Sequence, residues 1–229
     1  MTLTLYRFGP LRDRLWAFAQ MGFARLPMAR LPGLTFWKLL GSGTGEGFTP
    51  VPNTGVYAIL CAWTDADAAQ EGLAAPVFQR YARRSSEHGT LHMSPLSSRG
   101  KWSGRSPFRP LSEATVHGPL AALTRATVRH RNLLRFWRRV PDISRRIGEN
   151  ADVRLKIGVG EVPFLHQVTF SVWPDADAMA LFARTSGPHA AAIAAVRDGD
   201  WFAEELYARF SVTAATGAWL GRPLTEVLE

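Results

Sequence analysis

The stretch Val56-Tyr57-Ala58-Ile59-Leu60-Cys61-Ala62-Trp63-Thr64-Asp65-Ala66-Asp67-Ala68-Ala69 has a counterpart in His166-Gln167-Val168-Thr169-Phe170-Ser171-Val172-Trp173-Pro174-Asp175-Ala176-Asp177-Ala178-Met179. Each runs a strand-like segment into a tryptophan and then into an aspartate-led helix start. Trp63 and Trp173 are offset by 110 positions. Two further echoes keep the order at similar spacing. Gly45-Glu46 returns as Gly160-Glu161, offset 115, and Gly100-Lys101-Trp102-Ser103-Gly104-Arg105 returns as Gly217-Ala218-Trp219-Leu220-Gly221-Arg222, offset 117. Collinear echoes at near-constant spacing indicate tandem halves, each too long for a solenoid repeat and suited to one small α+β unit.

Working outward, Leu3 to Tyr6 alternates as a short strand, and Leu11, Leu15, Ala19, Gly22 and Phe23 recur at helical spacing over Leu11 to Arg25. Leu26-Pro27 and Leu31-Pro32-Gly33 break the chain before a strand over Leu34 to Leu40. Tyr57 to Trp63 is the third strand. Asp65 caps a helix that runs, broken near Pro76, to about Ser86, and Thr90 to Leu96 is the fourth strand. The pattern is β-α-β-β-α-β, the ferredoxin-like split unit. The second half repeats it: strand Leu120 to Val128, helix Leu133 to Ile147 interrupted at Pro141, strands Val153 to Val159 and Gln167 to Trp173, a broken helix over Asp175 to Arg184 and His189 to Arg197, and strand Leu206 to Val212. The expected fold is therefore α+β. An N-terminal unit (1–100), a linker (101–117) rich in Ser, Pro, Gly and Arg, and a C-terminal unit (118–229) form tandem ferredoxin-like repeats closing an intramolecular α/β barrel.

With 229 residues, 46% of them hydrophobic, the chain can bury roughly 70% of its unfolded surface. Its apolar runs fall short of the ~20 residues of a spanning helix, and Met1 to Arg7 carries no signal-peptide pattern. A lone Cys61 excludes internal disulfides. A cytoplasmic protein is expected. The net charge of +8 fits a solvated basic surface, nucleic acid or an anionic membrane. No helix-turn-helix, zinc-finger or RNP-type motif supports nucleic acid, so no nucleic-acid partner is expected. The spread of Arg12, Arg14, Arg25, Arg30 and the Arg125 to Arg146 region is compatible with peripheral membrane contact.

Gly41-Ser42-Gly43-Thr44-Gly45-Glu46-Gly47 resembles a phosphate loop in composition, but no helix start follows it before Pro50-Val51-Pro52; a tight turn or bulge is the expected reading. His88, His92, His117, His130 and His166 show no zinc-site spacing and read as surface or packing residues. His189 differs. It starts the small-residue run Gly187-Pro188-His189-Ala190-Ala191-Ala192-Ile193, where helix dipole and burial favour a neutral ring. Such a ring is either a packed core histidine or a metal ligand with room beside it for a flat macrocycle. Cys61 reads as a small buried hydrophobe rather than a thiolate ligand. Arg209, on a strand face with Tyr207 and Ser211, is either a surface arginine or a partner for a propionate or a bound oxidant.

Three stretches carry a family likeness: Phe8-Gly9-Pro10-Leu11-Arg12-Asp13-Arg14-Leu15-Trp16-Ala17-Phe18, Leu31-Pro32-Gly33-Leu34-Thr35-Phe36-Trp37-Lys38-Leu39-Leu40-Gly41-Ser42-Gly43-Thr44-Gly45, and Trp201-Phe202-Ala203-Glu204-Glu205-Leu206-Tyr207-Ala208-Arg209-Phe210. Together they resemble the spheroidene monooxygenase family, carotenoid ketolases of purple phototrophic bacteria. The resemblance implies an oxidoreductase that places a keto group at C2 of an acyclic carotenoid such as spheroidene. It implies haem iron, O₂ and an electron donor such as reduced ferredoxin. Haem-binding tandem ferredoxin-like barrels include chlorite dismutases and dye-decolourising peroxidases, whose axial histidine belongs to the C-terminal unit. That analogy points to His189 as the iron ligand, and Arg209, by its place on the strand face, is the candidate cofactor-binding and catalytic group. Extraction of a carotenoid implies peripheral contact with the inner or intracytoplasmic membrane. The contrasting readings are a non-haem oxygenase and a non-catalytic barrel that binds an apolar ligand at the membrane surface.

Overall fold

The computed structural model describes residues 1–45, 47, 49–110, 118–138, 152–185 and 201–229, with the backbone alone over 183–185. In the first half the order is β1 (Thr2–Arg7), α1 (Leu11–Phe23), α2 (Arg25–Ala29), β2 (Leu34–Gly43), β3 (Pro52–Trp63), α3 (Ala66–Leu73), α4 (Pro76–Arg84) and β4 (Glu87–Gly100). The second half gives β5 (Leu120–Val128), a 3-10 turn His130–Asn132, a helical segment α5 (133–138), β6 (Leu155–Gly160), β7 (His166–Trp173), α6 (Ala176–Thr185) and β8 (Phe202–Trp219). A short β9 (Arg222–Pro223) and a 3-10 turn Leu224–Leu228 follow. Both aspartates of the repeated motif cap helices. Asp65 Oδ1 accepts the Ala68 N–H and Asp175 Oδ1 accepts the Ala178 N–H, each at 2.8 Å.

All strand pairings are antiparallel, in the order β4-β1-β3-β2-β6-β7-β5-β8-β9, and β4 also pairs with β8. Eight strands thus form a closed sheet in which each has two neighbours. The first half supplies the run β4-β1-β3-β2, and the second supplies β8-β5-β7-β6, the same permutation. The two junctions differ greatly. β4 and β8 pair from Gly89↔Gly217 to Gly100↔Leu206, whereas β2 meets β6 only at Gly41↔Gly160 and Ser42↔Val159. The glycine-rich stretch is therefore a seam between the halves, where Ser42 Oγ also donates to the Gly158 carbonyl at 2.8 Å.

The closed sheet has one core inside and another on the outer face of its first half. Inside lie Leu3, Leu5, Phe36, Leu40, Leu60, Leu91, Ile157, Val168, Phe170, Leu206 and Phe210, with Trp102 and Phe108 among them. Outside, Tyr6, Phe8, Leu39, Tyr57, Ile59, Cys61 and Trp63 pack against Ala17, Met28, Val77, Phe78 and Tyr81 of α1, α2 and α4. In the described part of the predicted linker, residues 101–110, Trp102 and Phe108 are buried. Trp102, fully buried, closes a bridge to Arg105 and inserts its ring between the two sheet halves. Its Ser, Gly and Arg neighbours hide this in the sequence.

Strand Leu120 to Val128 is observed over its predicted span, but β4 and β8 outrun theirs. β4 absorbs Pro95 at a register shift, and β8 continues through the small, weakly alternating Thr213 to Gly217 because β4 pairs alongside. The Leu26-Pro27 break is instead the first turn of α2, where a missing N–H costs nothing. Predicted helix over 139–147 and 189–197, and His189 with it, lies outside the described residues. Among the described residues no helix is long and apolar enough to cross a membrane.

The seam leaves no room at Gly158, where an added Cβ would sit 2.4 Å from the Gly47 carbonyl oxygen. Gly158→Ala is expected to destabilise the protein by about 2–3 kcal/mol. Gly22 in α1 has open space around it, so Gly22→Ala is expected to add about 0.5–1 kcal/mol. Paired urea unfolding curves measure both.

Candidate functional site

The two four-strand runs carry different residues on their outer faces. In β3 the outward side chains are Tyr57, Ile59, Cys61 and Trp63, all buried under helices. The matching positions of β7, 110 residues on, are Gln167, Thr169, Ser171 and Trp173. Neighbouring β5 presents Ala122 and Thr124 there, and β8 presents Tyr207, Arg209 and Ser211. Trp173 keeps its structural role, stacking on Phe182 at 5.1 Å and donating to Ser171 Oγ at 3.0 Å. On β7, Gln167 and Thr169 stand where β3 has Tyr57 and Ile59, whereas Ala122 and Thr124 of β5 match the small Thr2 and Thr4 of β1. Thr124 and Arg209 are exposed on this face.

Arg209 lies in register with Ala122 of β5 and Ser97 of β4, and points away from the interior occupied by Ala208 and Phe210. It has no ion-pair partner among the described residues. The neighbouring Tyr207 hydroxyl donates to Glu205 Oε2 at 3.0 Å. His189, the other candidate, lies outside the described residues, so its approach to Arg209 is not part of the geometry. His88 and His130 are exposed; burial and the nearby N-terminal ammonium hold the His92 ring below its usual pKa. Cys61 is buried, and burial pushes its thiol up, as expected of a packing residue. Among the described residues no group of three His, Cys, Asp or Glu side chains is placed to hold a metal. A single axial ligand from elsewhere in the chain does not need one.

A second constellation escaped the sequence reading. Lys38, Arg125, Glu161, His166 and Glu204 occupy inward positions near one end of the closed sheet. Glu161 accepts from Lys38 Nζ at 2.5 Å and from Trp102 Nε1 at 2.7 Å, with His166 Nδ1 at 3.5 Å and Arg125 at 3.8 Å. Arg125 is 2% exposed, pairs with Glu204, and lies 5.7 Å over the Trp102 ring. Burial alone would raise the Glu161 pKa, but the nearby His166 ring and hydrogen bonds from Lys38 and Trp102 outweigh it and hold the carboxyl at about 2. Glu204 follows the same logic: burial opposes ionisation, and the Gly104 and Ser103 N–H groups with Arg125 more than offset it. The available signal was parity. Lys38 and Arg125 interrupt otherwise apolar inward positions, and Glu161 belongs to the repeated Gly-Glu pair.

Two cavities open beside this cluster, one of about 340 Å³ among Trp37, Lys38, Ser103 and Glu161, and a third lies away from it. A groove of about 260 Å³ runs between α1, the Thr49–Asn53 segment and the β6–β7 turn, with Phe18, Met21, Tyr57, Trp137 and Phe164 on its walls and Glu161 and His166 on its floor. A cavity of about 850 Å³ lies at the other end of the sheet, among Phe36, Trp63, Met93, Phe108, His92 and Asp65.

No family model matches the chain. The spheroidene monooxygenase of Cereibacter sphaeroides is 50% identical over 231 residues, covering 100% of this chain and 71% of that protein. That of Rhodobacter capsulatus is 46% identical over 233 residues, covering 100% and 97%. Among solved structures, aldoxime dehydratase in complex with butyraldoxime superposes with a TM-score of 0.59 over 92% of this chain and 78% of that one, at 10% identity. The last is a likeness of fold alone.

Because Glu161 titrates lower in the folded chain than its ordinary 4.5, its stabilisation is full above pH 4.5 and is lost as pH falls towards 2. Glu161→Gln is expected to cost about 3 kcal/mol at neutral pH, since Lys38 and Arg125 lose a buried counter-charge. The gap from the parent chain should narrow through that acid window. A pH series of denaturant unfolding curves for both proteins tests this.

Proposed function

The chain belongs to the spheroidene monooxygenase family, and on that premise we propose that it is a haem-dependent monooxygenase placing a keto group at C2 of an acyclic carotenoid. The observation that carries the cofactor reading is Arg209, exposed without an ion-pair partner among the described residues on an outer face where Gln167 and Thr169 stand at the positions of Tyr57 and Ile59. Haem, when bound, supplies an oxidising power that no side chain has. On this reading Arg209 holds an anionic edge of the group and polarises the oxidant, and His189 is its iron ligand.

The overall reaction balances as two hydroxylations at one carbon. Each consumes O₂, two electrons and two protons, forms one C–O bond and releases one water. The second hydroxylation leaves two hydroxyls on C2, and loss of a further water yields the ketone. The electrons come from a reduced ferredoxin or a similar donor. The chain's own tasks are to exclude water, hold the polyene by apolar contact and fix its end at the oxidant. A carotenoid is bilayer-resident, so the protein works in peripheral contact with a membrane. The repeated strand order supports reading 1–100 and 118–229 as ferredoxin-like units, joined through 101–117 into an α/β barrel.

The test is an absorption spectrum of protein from haem-replete cells, with and without dithionite. A Soret band that shifts on reduction is expected. His189→Ala should abolish it, while His130→Ala and His166→Ala should retain it. Arg209→Ala should weaken haem retention about tenfold through loss of a charge-assisted contact. Ketone formed by colourless protein would sink the haem mechanism.

A further inference from the structure

α1 faces the wrong way for an ordinary surface helix. Its buried residues are Asp13 and Ala17, while Leu11, Leu15 and Phe18 are 69%, 61% and 67% exposed. At 100° per residue these three fall within one narrow stripe opposite the buried side. The stripe runs into the groove, whose wall includes Phe18, and across it stand Val162 and Phe164 of the β6–β7 turn, 40% and 50% exposed. Val51 and Leu134, 58% and 76% exposed, sit beside other lining residues. Soluble surfaces seldom gather so many large apolar side chains around one opening without a partner.

We propose that this collar is the surface on which the protein docks to an anionic lipid bilayer, with the groove's mouth turned towards the acyl chains. Charge selects the partner. The same segments carry exposed Arg12, Arg25, Arg30, Arg135 and Arg138. Of their carboxylates, Asp13 pairs with Arg84 at 3.1 Å and with Arg12 at 3.5 Å, and Glu161 is held inside by Lys38 and Trp102. A second copy docking face to face would set arginine against arginine, whereas anionic headgroups complement them. The helix starts Asp65-Ala66-Asp67 and Asp175-Ala176-Asp177 follow the far ends of β3 and β7. The charge asymmetry therefore turns the collar, not the opposite end, towards the membrane. Apolar side chains flanked by arginines are the composition of an interfacial anchor. The purpose of this surface, delivery of an apolar chain into the groove, rests on the function proposed above; its geometry does not.

The test is co-sedimentation of the full chain with vesicles of phosphatidylglycerol and phosphatidylcholine, or phosphatidylcholine alone. Binding to the anionic vesicles, weakened by salt, is expected. Leu11→Glu/Leu15→Glu, outside both groove and core, should lower it at least about tenfold, and Leu181→Glu on the acidic side should not. The double variant should still ketolate carotenoid dispersed in detergent while losing activity on carotenoid in vesicles. Unchanged vesicle binding by the double variant overturns the proposal, as does a parent chain that dimerises through this face and ignores vesicles. Vesicle binding with the expected dependences but no ketolation under any condition sustains the docking surface and overturns the catalytic reading instead.

Discussion

The fold depends on one pairing, that of β4 with β8. These strands are the outer members of their respective halves, and each would otherwise offer a long unpaired edge. Their eleven residue pairs join the chain's two units far more firmly than the two pairs between β2 and β6. An eight-stranded closed sheet has an interior that side chains alone can fill, and here Trp102 and Phe108 complete the filling. The interior is therefore a packed core with a charged end, and at its other end it opens into the cavity among Phe36, Met93 and Phe108. Chemistry on a large substrate has to be done on the outer faces or at the openings.

The two four-strand runs share a strand order but not the side chains on their outer faces. In the first half, Tyr57, Ile59, Cys61 and Trp63 anchor α1 to α4, with Gly72 admitting the Trp63 ring. That face contributes stability through its buried aromatic and aliphatic side chains. At the β7 positions of Tyr57 and Ile59 the second half carries Gln167 and Thr169.

How much of this was legible depends on the range of the interaction. Local signals held: the Asp65 and Asp175 caps, the Trp63 and Trp173 strand ends and the Leu120–Val128 strand follow from residues within a few positions of one another. Long-range placement was not legible. Lys38, Arg125, Glu161 and Glu204 meet across as many as 166 positions of sequence, and no spacing rule connects them. Trp102 sits among Ser, Gly and Arg, a context that reads as solvent. The extension of β8 comes from its partner strand rather than its own Thr- and Ala-rich residues. For the candidate site, Arg209 was identifiable as a strand-face arginine, but the replacement of Tyr57 and Ile59 by Gln167 and Thr169 shows only when the halves are compared position by position.

α1 shows why an amphipathic pattern is ambiguous. Leu11, Leu15 and Phe18 define an apolar stripe, yet periodicity reports only that two faces differ, not which is buried. The decision is made by the opposite side, where Ala17 permits close approach to the sheet and Asp13 finds Arg84. An ion pair near a small residue outcompetes a leucine stripe for the packing surface only if the stripe loses little by remaining outside. In plain water that exposure is unfavourable for every apolar side chain. At a lipid interface the sign reverses, and the same three side chains become the favourable contact. The orientation of this helix thus makes physical sense for a protein whose working solvent includes a bilayer.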